Sequence, residues 1–271
     1  MASATVGASL VSERPFSQEA PSLVVAHRGA SATEAENTLP AFEAAIAVGA
    51  DVVEFDVRIT ADGAAVVMHD VDVARTTDGH GRVRDLTLEE ITRLRITTRD
   101  GGATVVPTLE DALRYCSGRV GVDVEIKNIP GESDFDAEHE LAVEATLRAL
   151  DATAFSGIVL LSSFNPFSIA RARSLAPDIP TGLLTNVDVD ARAAAGYAHA
   201  EGHPWVLPFV RQVQDAGASL VEEVHGFGMR LGTWITDDPI EATAFFRAGV
   251  DAVATNDPGA IVAARAEAGL A

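Results

Sequence analysis

Short apolar runs alternate with longer, alanine-rich stretches of helical period through most of this 271-residue chain. Eight of the apolar runs have the length of buried strands; they cover residues 23–26, 52–59, 120–126, 158–162, 181–184, 205–209, 231–235 and 252–254. Helical stretches lie between them and after the last, at 39–48, 109–116, 137–150, 166–175, 189–200, 212–225, 239–248 and from 259 onward. This alternation is typical of βα units and a parallel sheet. Eight such units predict a (β/α)8 TIM barrel, an α/β fold of roughly 250 residues.

One segment interrupts the alternation. A short strand at 65–68 follows the second strand through a hairpin turn at Ala61-Asp62-Gly63. Turn residues then dominate, apart from a short helix predicted at 86–94. We expect a small insertion after strand 2, over about 71–106, on the side where barrel active sites are built.

No linker rich in Pro, Gly or Ser breaks the pattern after Pro21, so residues 22–271 are predicted to form one barrel domain. Residues 1–21 are rich in Ser and Ala and are expected to be a flexible tail. They lack the basic region and long apolar core of a signal peptide. The chain also has no apolar run of roughly 20 residues, so we predict a cytoplasmic protein without stable membrane association.

Acidic residues outnumber basic ones, with 40 Asp and Glu against 20 Lys and Arg, and the formal net charge is -20. This charge repels nucleic acid and anionic membranes at long range, so neither is an expected partner. If the substrate is an anion, fixed cations or a metal ion must reverse the field locally. The single cysteine, Cys116, excludes an intramolecular disulfide and is predicted to be a buried apolar residue.

Two predicted barrel strands carry alternating charged residues on one face, and these residues are Glu54, Asp56, Arg58, Asp123, Glu125 and Lys127. A buried, unpaired carboxylate costs several kcal/mol, so the acids need a cation. Glu54, Asp56 and Glu125 would offer hard oxygen ligands that suit Mg²⁺ or Ca²⁺ better than Zn²⁺. The alternative is an internal salt-bridge network with Arg58 and Lys127 that binds nothing.

Two histidines end predicted strands near these acids. His27 ends strand 1 and His69 ends the short hairpin strand. Each alone also fits a structural residue held by a hydrogen bond, but their joint placement above carboxylates favours acid–base chemistry. Gly29 provides a flexible turn that lets both His27 and Arg28 face the site. The remaining histidines are interpreted as surface or capping residues: His80, His139, His199, His203 and His225.

Several short motifs occur in a fixed order along the chain. They are His27-Arg28-Gly29, Glu36-Asn37-Thr38, Ala41-Phe42, GADVVEFDV over 49–57, Thr60 to Gly63, His69-Asp70, Arg75-Thr76-Thr77, Pro107-Thr108-Leu109 and Val124-Glu125-Ile126-Lys127. Weaker matches follow at Ser162-Ser163-Phe164, Trp234, Gly249-Val250-Asp251 and Thr255-Asn256-Asp257-Pro258. With these motifs the chain resembles the glycerophosphodiester phosphodiesterase family, especially its cytoplasmic bacterial members, over about residues 22 to 262.

The resemblance implies a site and a reaction. It implies that one divalent cation, Mg²⁺ or Ca²⁺, binds to Glu54, Asp56 and Glu125, and that His27 and His69 are the catalytic acid and base. Arg28 and Lys127 would hold the phosphate, and Phe164 and Trp234 complete the implied substrate-binding set. The implied reaction is hydrolysis of a small glycerophosphodiester to sn-glycerol 3-phosphate and an alcohol such as choline.

The chain departs from the family pattern at three places, and one of them is the poorly matching segment from His203 to Gln214. Ala35 stands where the family usually has Pro, and Ile235-Thr236-Asp237 follows Trp234 where the family tends to have Thr-Val-Asn. Glu36 and Asn37 either add polar contacts at the rim of the site or cap the following helix.

Three other functions remain open from the sequence: a phosphodiesterase for lysophospholipids, a non-catalytic barrel that binds phosphodiesters, and a barrel lyase or isomerase with a similar metal. The sequence does not distinguish the acid from the base, or direct attack by water from a cyclic phosphate intermediate.

Overall fold

A closed barrel of eight parallel strands forms the centre of the protein. The computed structural model describes residues 22–270, so the tail predicted over 1–21 lies outside the described residues. The strands are β1 (Leu23–His27), β2 (Val52–Ile59), β3 (Ala65–Val67), β4 (Arg95–Thr97), β5 (Ala103–Val105), β6 (Gly121–Ile126), β7 (Val159–Ser163), β8 (Thr181–Thr185), β9 (Trp205–Pro208), β10 (Arg230–Thr233) and β11 (Ala252–Thr255). In the barrel the order is β1-β2-β6-β7-β8-β9-β10-β11, and β11 pairs with β1 to close it. The predicted (β/α)8 TIM barrel is therefore confirmed.

Helices connect the barrel strands. They are α1 (Leu39–Ala47), α2 (Leu88–Arg93), α3 (Leu109–Cys116), α4 (Leu141–Thr153), α5 (Pro166–Leu175), α6 (Ala191–Glu201), α7 (Val210–Ala216), α8 (Ala218–Gly226), α9 (Pro239–Ala248) and α10 (Pro258–Glu267).

Two helix predictions were wrong in detail. The helix predicted at 212–225 is divided into α7 and α8 at Gly217, whose φ is +60°. The helix predicted from residue 137 begins only at Leu141, because Glu140 adopts a left-handed conformation with φ +50°. His139 consequently lies in the loop before α4 rather than in a helix.

The insertion after β2 has a small core of its own. β3 pairs antiparallel with the end of β2, with Val57 opposite Val67, as the predicted hairpin requires. Val66 on β3 and buried apolar residues beyond this strand pack into a cluster separate from the barrel core; those beyond the strand are Met68, Val73, Val83, Ile91, Ile96 and Val106. The helix predicted at 86–94 is α2, whereas the β4–β5 hairpin was not predicted. Its strands have three residues each and are partly exposed, so they carry no clear apolar alternation.

The strand register brings the charged residues to two successive levels at the same end of the barrel. His27 on β1 lies opposite Glu54 on β2, and Asp56 on β2 lies opposite Glu125 on β6. Because the carboxyl ends of parallel strands meet at one end of the barrel, these side chains converge there. Within residues 22–270, no helix is both long and apolar enough to cross a bilayer.

Candidate active site

Three carboxylates converge at the carboxyl end of the barrel. Oxygen atoms of Glu54, Asp56 and Glu125 all lie within 4.8 Å of one another, and all three side chains are buried. Within the described residues this is the one group of three or more His, Cys, Asp or Glu side chains close enough to hold a metal ion together. One oxygen of Glu54, Oε1, is buried and has no hydrogen-bond partner among residues 22–270. A cluster of hard oxygen donors with an unpaired buried oxygen fits a divalent cation.

The electrostatics of the cluster also favour a cation at this position. Burial and the charges of Asp56 and Glu125 raise the pKa of Glu54 well above its ordinary value. Burial likewise raises the pKa of Glu125 to about 6, against the opposing charge of Lys127. Burial alone would raise the pKa of Asp56, but Lys127 and Arg28 lower it below its usual range. Nearby cations thus compensate the negative charge of Asp56 well, and they compensate that of Glu54 least.

The turn after β1 places Arg28 beside this cluster. Arg28 adopts a left-handed conformation (φ +57°), and so does Gly29 (φ +80°). The Arg28 backbone N–H donates to Glu54 Oε2 at 2.8 Å, and its guanidinium Nε lies 3.2 Å from Asp56 Oδ2. A Cβ atom at Gly29 would lie 2.7 Å from the backbone of Ala41, so no larger residue fits this turn. The expected role of Gly29 in letting Arg28 face the site is consistent with this geometry.

Glu36 and Asn37 contribute to the site rather than to the helix cap. Asn37 is buried and its Nδ2 donates to Asp56 Oδ2 at 2.8 Å. Glu36 accepts from Arg28 Nη1 at 3.0 Å. The capping residue of α1 is instead Thr38, whose hydroxyl accepts from the Ala41 N–H. Of the two interpretations offered by the sequence, polar contacts at the rim are therefore correct.

Lys127 lies between the acids and the aromatic side of the cavity. Its Nζ is 2.6 Å from Glu125 Oε1, 3.1 Å from Asp56 Oδ1 and 5.8 Å from the centre of the Phe164 ring. Phe164 packs edge-on against Trp234, with ring centres 5.2 Å apart. All three residues line a cavity of about 270 Å³ at the mouth and interior of the barrel.

Asn256, in the loop after β11, holds His27 in place. The Nδ1 of His27 lies 2.8 Å from Asn256 Oδ1, and the ring lines the cavity. Burial and the positive charge of Arg28 lower the pKa of His27 to about 4. The ring is therefore neutral at neutral pH; Asn256 engages one of its nitrogens, and the other has no hydrogen-bond partner in the part of the chain that the structure describes.

His69 is held by a carboxylate instead. Its Nδ1 lies 2.7 Å from Asp70 Oδ1. Arg75 in turn donates to both oxygens of Asp70 and, at 2.7 and 2.9 Å, to both oxygens of Glu36. A chain of ion pairs thus connects His69 through the insertion to the loop that carries Arg28. Burial lowers the pKa of His69 although the charge of Asp56 opposes this effect.

Arg58 does not join the carboxylate cluster, although its position on β2 predicted the same face. Its guanidinium pairs with Glu132 and Asp134 at 2.9 and 2.8 Å, and Nε donates to the His69 carbonyl at 2.7 Å. The salt-bridge network considered from the sequence is therefore divided: Lys127 pairs with the candidate ligands, and Arg58 pairs with the β6–α4 loop.

Among the other histidines, the interpretation of His203 as a surface or capping residue was wrong. His203 is buried, and its Nδ1 lies 2.7 Å from the Thr181 hydroxyl. His225, near the end of α8, pairs with Asp251 at 2.8 Å. Cys116 is fully buried as predicted, and burial raises the pKa of its thiol to about 12.

Asp123 is a buried acid whose surroundings the sequence did not reveal. It lines the cavity one step below Glu125, and Ser162 donates to its Oδ1 at 2.7 Å. Burial raises the pKa of Asp123 to about 7, despite the opposing hydrogen bond from Ser162.

We expect Asp123→Asn to stabilise the metal-free protein at pH 8 and to leave its stability unchanged near pH 4. The folded-state pKa lies above the ordinary value, so the folded state disfavours the charged form; the resulting penalty grows from about pH 4 and is complete above about pH 7. The gain is on the order of 4 kcal/mol. Urea unfolding of the chelated protein at both pH values measures it, with the exposed Asp178→Asn as control. Equal free energies of unfolding for wild type and variant at pH 8 would contradict the prediction that the buried Asp123 carboxylate destabilises the folded protein.

Acidic groups that could hold a metal ion and two cations, Arg28 and Lys127, meet at one mouth of the barrel, and this arrangement suits an enzyme that acts on anionic esters such as phosphate esters. The model of the glycerophosphoryl diester phosphodiesterase family matches residues 27–260. The chain belongs to this family.

Individual relatives agree with this assignment. A glycerophosphodiester phosphodiesterase of Caldanaerobacter subterraneus is 32% identical over 252 residues, which cover 89% of this chain and 96% of the relative. The structure of an Oleispira antarctica phosphodiesterase in complex with its product sn-glycerol-3-phosphate has a TM-score of 0.77 and 26% identity, with 90% and 96% of the two chains covered. For the glycerophosphodiester phosphodiesterase of Thermotoga maritima the TM-score is 0.72 at 25% identity, with 89% and 97% covered.

Proposed function

We propose that this enzyme hydrolyses glycerophosphodiesters to sn-glycerol 3-phosphate and an alcohol, with one divalent cation and with proton transfer by His27 and His69. The observation that carries the proposal is the meeting of three clustered carboxylates with two separately anchored histidines at one cavity. A binding protein would need the charge of the site but not two imidazoles held by partners outside the cavity. The product bound by the Oleispira relative supports the same substrate class.

Glu54, Asp56 and Glu125 would hold Mg²⁺ or Ca²⁺. When bound, such an ion supplies positive charge that stabilises the phosphoryl oxygens as negative charge develops on them. The unpaired Oε1 of Glu54 and the raised pKa of its carboxyl are the features of this chain that favour a cation here.

Arg28 and Lys127 would hold the phosphodiester anion. Arg28 presents a planar guanidinium whose position is fixed by Glu36 and Asp56. Burial alone would lower the pKa of Lys127, but Asp56 and Glu125 raise it above its usual range, so the ammonium stays charged. Phe164 and Trp234 would pack against the apolar parts of the substrate at the same wall.

The two histidines would carry the protons. In each ring Nδ1 is engaged, by Asn256 or by Asp70, and Nε2 remains for the reacting groups. One imidazole takes the proton of the attacking hydroxyl, and the other delivers a proton to the departing alcohol oxygen. The Asp70 carboxylate stabilises the imidazolium form of His69, whereas Asn256 offers His27 a neutral amide.

The direct test is an assay of the purified protein with glycerophosphocholine and either Mg²⁺ or Ca²⁺. We expect choline and sn-glycerol 3-phosphate in equal amounts. Release of phosphocholine would show that the other ester bond is cleaved, and binding without turnover with either ion would contradict the enzymatic proposal.

A lysophospholipid is the second candidate substrate, because large apolar side chains are exposed at the ends of helices next to the cavity mouth. Leu141, Phe167 and Ile240 lie in the first turns of α4, α5 and α9, which follow the carboxyl ends of β6, β7 and β10. They are 45%, 70% and 82% exposed. Comparison of kcat/KM for lysophosphatidylcholine and glycerophosphocholine separates the two substrates, and a ratio above one favours the lipid.

Lys127→Met is expected to raise KM and to lower kcat for glycerophosphocholine, because the variant loses a buried charge beside the phosphate position. The melting temperature at saturating metal should stay near that of wild type, since the bound cation then compensates Asp56 and Glu125. Arg148→Met, which removes an exposed cation from α4, is the control. A variant that unfolds yet retains wild-type activity per folded molecule would show that Lys127 serves only the salt-bridge network.

A further inference from the structure

The loop after β10 carries Asp237, a carboxylate that takes no part in the reaction proposed above. Asp237 Oδ1 accepts from the Asn256 N–H at 2.7 Å and from the Thr255 hydroxyl at 2.9 Å. Its second oxygen, Oδ2, accepts from Asn256 Nδ2 at 2.9 Å. The hydrogen bonds from Asn256 and Thr255 lower the pKa of Asp237 although burial opposes them, so the group is ionised.

An ionised carboxylate can only accept hydrogen bonds, and this fixes the orientation of the Asn256 amide. The NH2 group of Asn256 must face Asp237, so its oxygen must face the other way. That oxygen lies 2.8 Å from His27 Nδ1 and 3.0 Å from the Ser31 hydroxyl, which donates to it or to the His27 carbonyl.

A carbonyl oxygen at hydrogen-bond distance from Nδ1 requires a proton on that nitrogen. In neutral His27 the proton is then on Nδ1, and the lone pair is on Nε2. The tautomer of His27 thus depends on Asp237, although the two side chains do not touch.

We propose that Asp237 is a positioning residue that sets the tautomer of His27 through the Asn256 amide. This inference rests on the proposed function only for its effect on the rate, since the tautomer itself is a property of the resting protein.

Asp237→Asn is the sharpest perturbation because it keeps the shape and reverses one hydrogen bond. The new side chain's oxygen would still accept from the Asn256 N–H and Thr255, so its NH2 group would face the NH2 group of Asn256. Two donors repel, and the Asn256 amide would turn over and present its NH2 group to His27. Nδ1 of His27 must then accept, and the proton moves to Nε2.

The experiment measures the His27 tautomer and the steady-state kinetics of the same proteins. Long-range ¹H–¹⁵N spectra distinguish protonated from unprotonated ring nitrogens, and the His27 signals are those missing from His27→Ala. We expect the Nδ1–H tautomer in wild type and the Nε2–H tautomer in Asp237→Asn. The variant's kcat should be about 10- to 100-fold lower, as is typical when an orienting partner of a functional histidine is lost, with KM little changed.

A swap of the two side chains supplies the rescue. In the Asp237→Asn/Asn256→Asp double variant the amide donates to the carboxylate, and the carboxylate accepts from His27 Nδ1. The double variant should regain the Nδ1–H tautomer and most of the lost kcat, which a merely structural role of Asp237 would not produce.

Asp238→Asn is the matched control, because the Asp238 carboxylate caps α9 by accepting from the Ile240 N–H, whereas Asn256 donates to Asp237. It should keep both the tautomer and kcat, since Asn is also a good capping residue. If Asp237→Asn does not fold, Asn256→Ala serves instead and should leave His27 without a preferred tautomer. An unchanged tautomer in the folded variants would overturn the inference. An inverted tautomer with unchanged kcat would uphold the inference and remove His27 from the proposed proton transfers.

Discussion

Replacement of His27 or His69 with alanine is expected to lower kcat for glycerophosphocholine by about 100-fold or more, the usual contribution of a general acid or base. Neither histidine belongs to the carboxylate cluster, and each is anchored by its own partner at 2.8 or 2.7 Å. Metal binding and the melting temperature should therefore change little. The double variant should be little worse than the poorer single one, because residues that act as a unit give non-additive losses. Steady-state kinetics and thermal unfolding of the three variants provide the measurements.

A second substrate identifies the acid. The choline alkoxide needs a proton as it leaves, whereas the phenolate of an activated aryl phosphodiester does not. The histidine whose loss is far more costly on the choline ester is the general acid. His80→Ala, in an exposed loop of the insertion, is the control and should behave as wild type on both esters. Equal losses on both esters for both site variants would contradict an acid role for either histidine.

Removal of divalent metal is expected to abolish activity, and addition of Mg²⁺ or Ca²⁺ to restore it. The same ions should raise the melting temperature of the free protein, because a ligand that binds only the folded state stabilises it. The first expectation is tested by dialysis against a chelator, with elemental analysis of the dialysed protein for remaining metal. The second is tested by thermal unfolding across a metal titration. Full activity in protein shown to be free of metal would contradict the cation proposal.

Glu54→Gln should remove the response to metal without lowering the stability of the folded protein. In the metal-free protein, Glu54 is the least compensated of the three acids, so the neutral amide should leave the melting temperature unchanged or raise it at pH 8. The rise in melting temperature on metal addition should be largely lost, together with activity. Glu222→Gln, at an exposed position of α8, should retain both. A variant that keeps the wild-type response to metal would show that Glu54 is not a ligand.

The carboxylate cluster could be predicted from the sequence because strands have a fixed geometry. A two-residue period and a parallel register suffice to bring Glu54, Asp56 and Glu125 to one end of the barrel. The same rule failed for Arg58, whose long side chain reaches past the cluster to acids in the β6–α4 loop. The period places a Cβ atom and does not fix the far end of a flexible side chain.

The anchors of the two histidines could not be predicted from patterns. Asn256, Asp237 and Arg75 act through loops whose conformations depend on tertiary contacts between distant segments. Asn37 donates to Asp56 from a left-handed backbone conformation, with φ +58°, which a sequence pattern does not reveal. The sequence motifs include several of these residues. Only the folded structure shows which of their side chains form hydrogen bonds or ion pairs with one another.

The chain contains a single lysine, Lys127, and it lies at the candidate active site. All other side-chain cations that stay charged at neutral pH are arginines, so ¹⁵Nζ labelling of lysine gives one signal, which reports on the charge and surroundings of this ammonium alone. The fold thus carries a built-in spectroscopic reporter of site occupancy that needs no substitution.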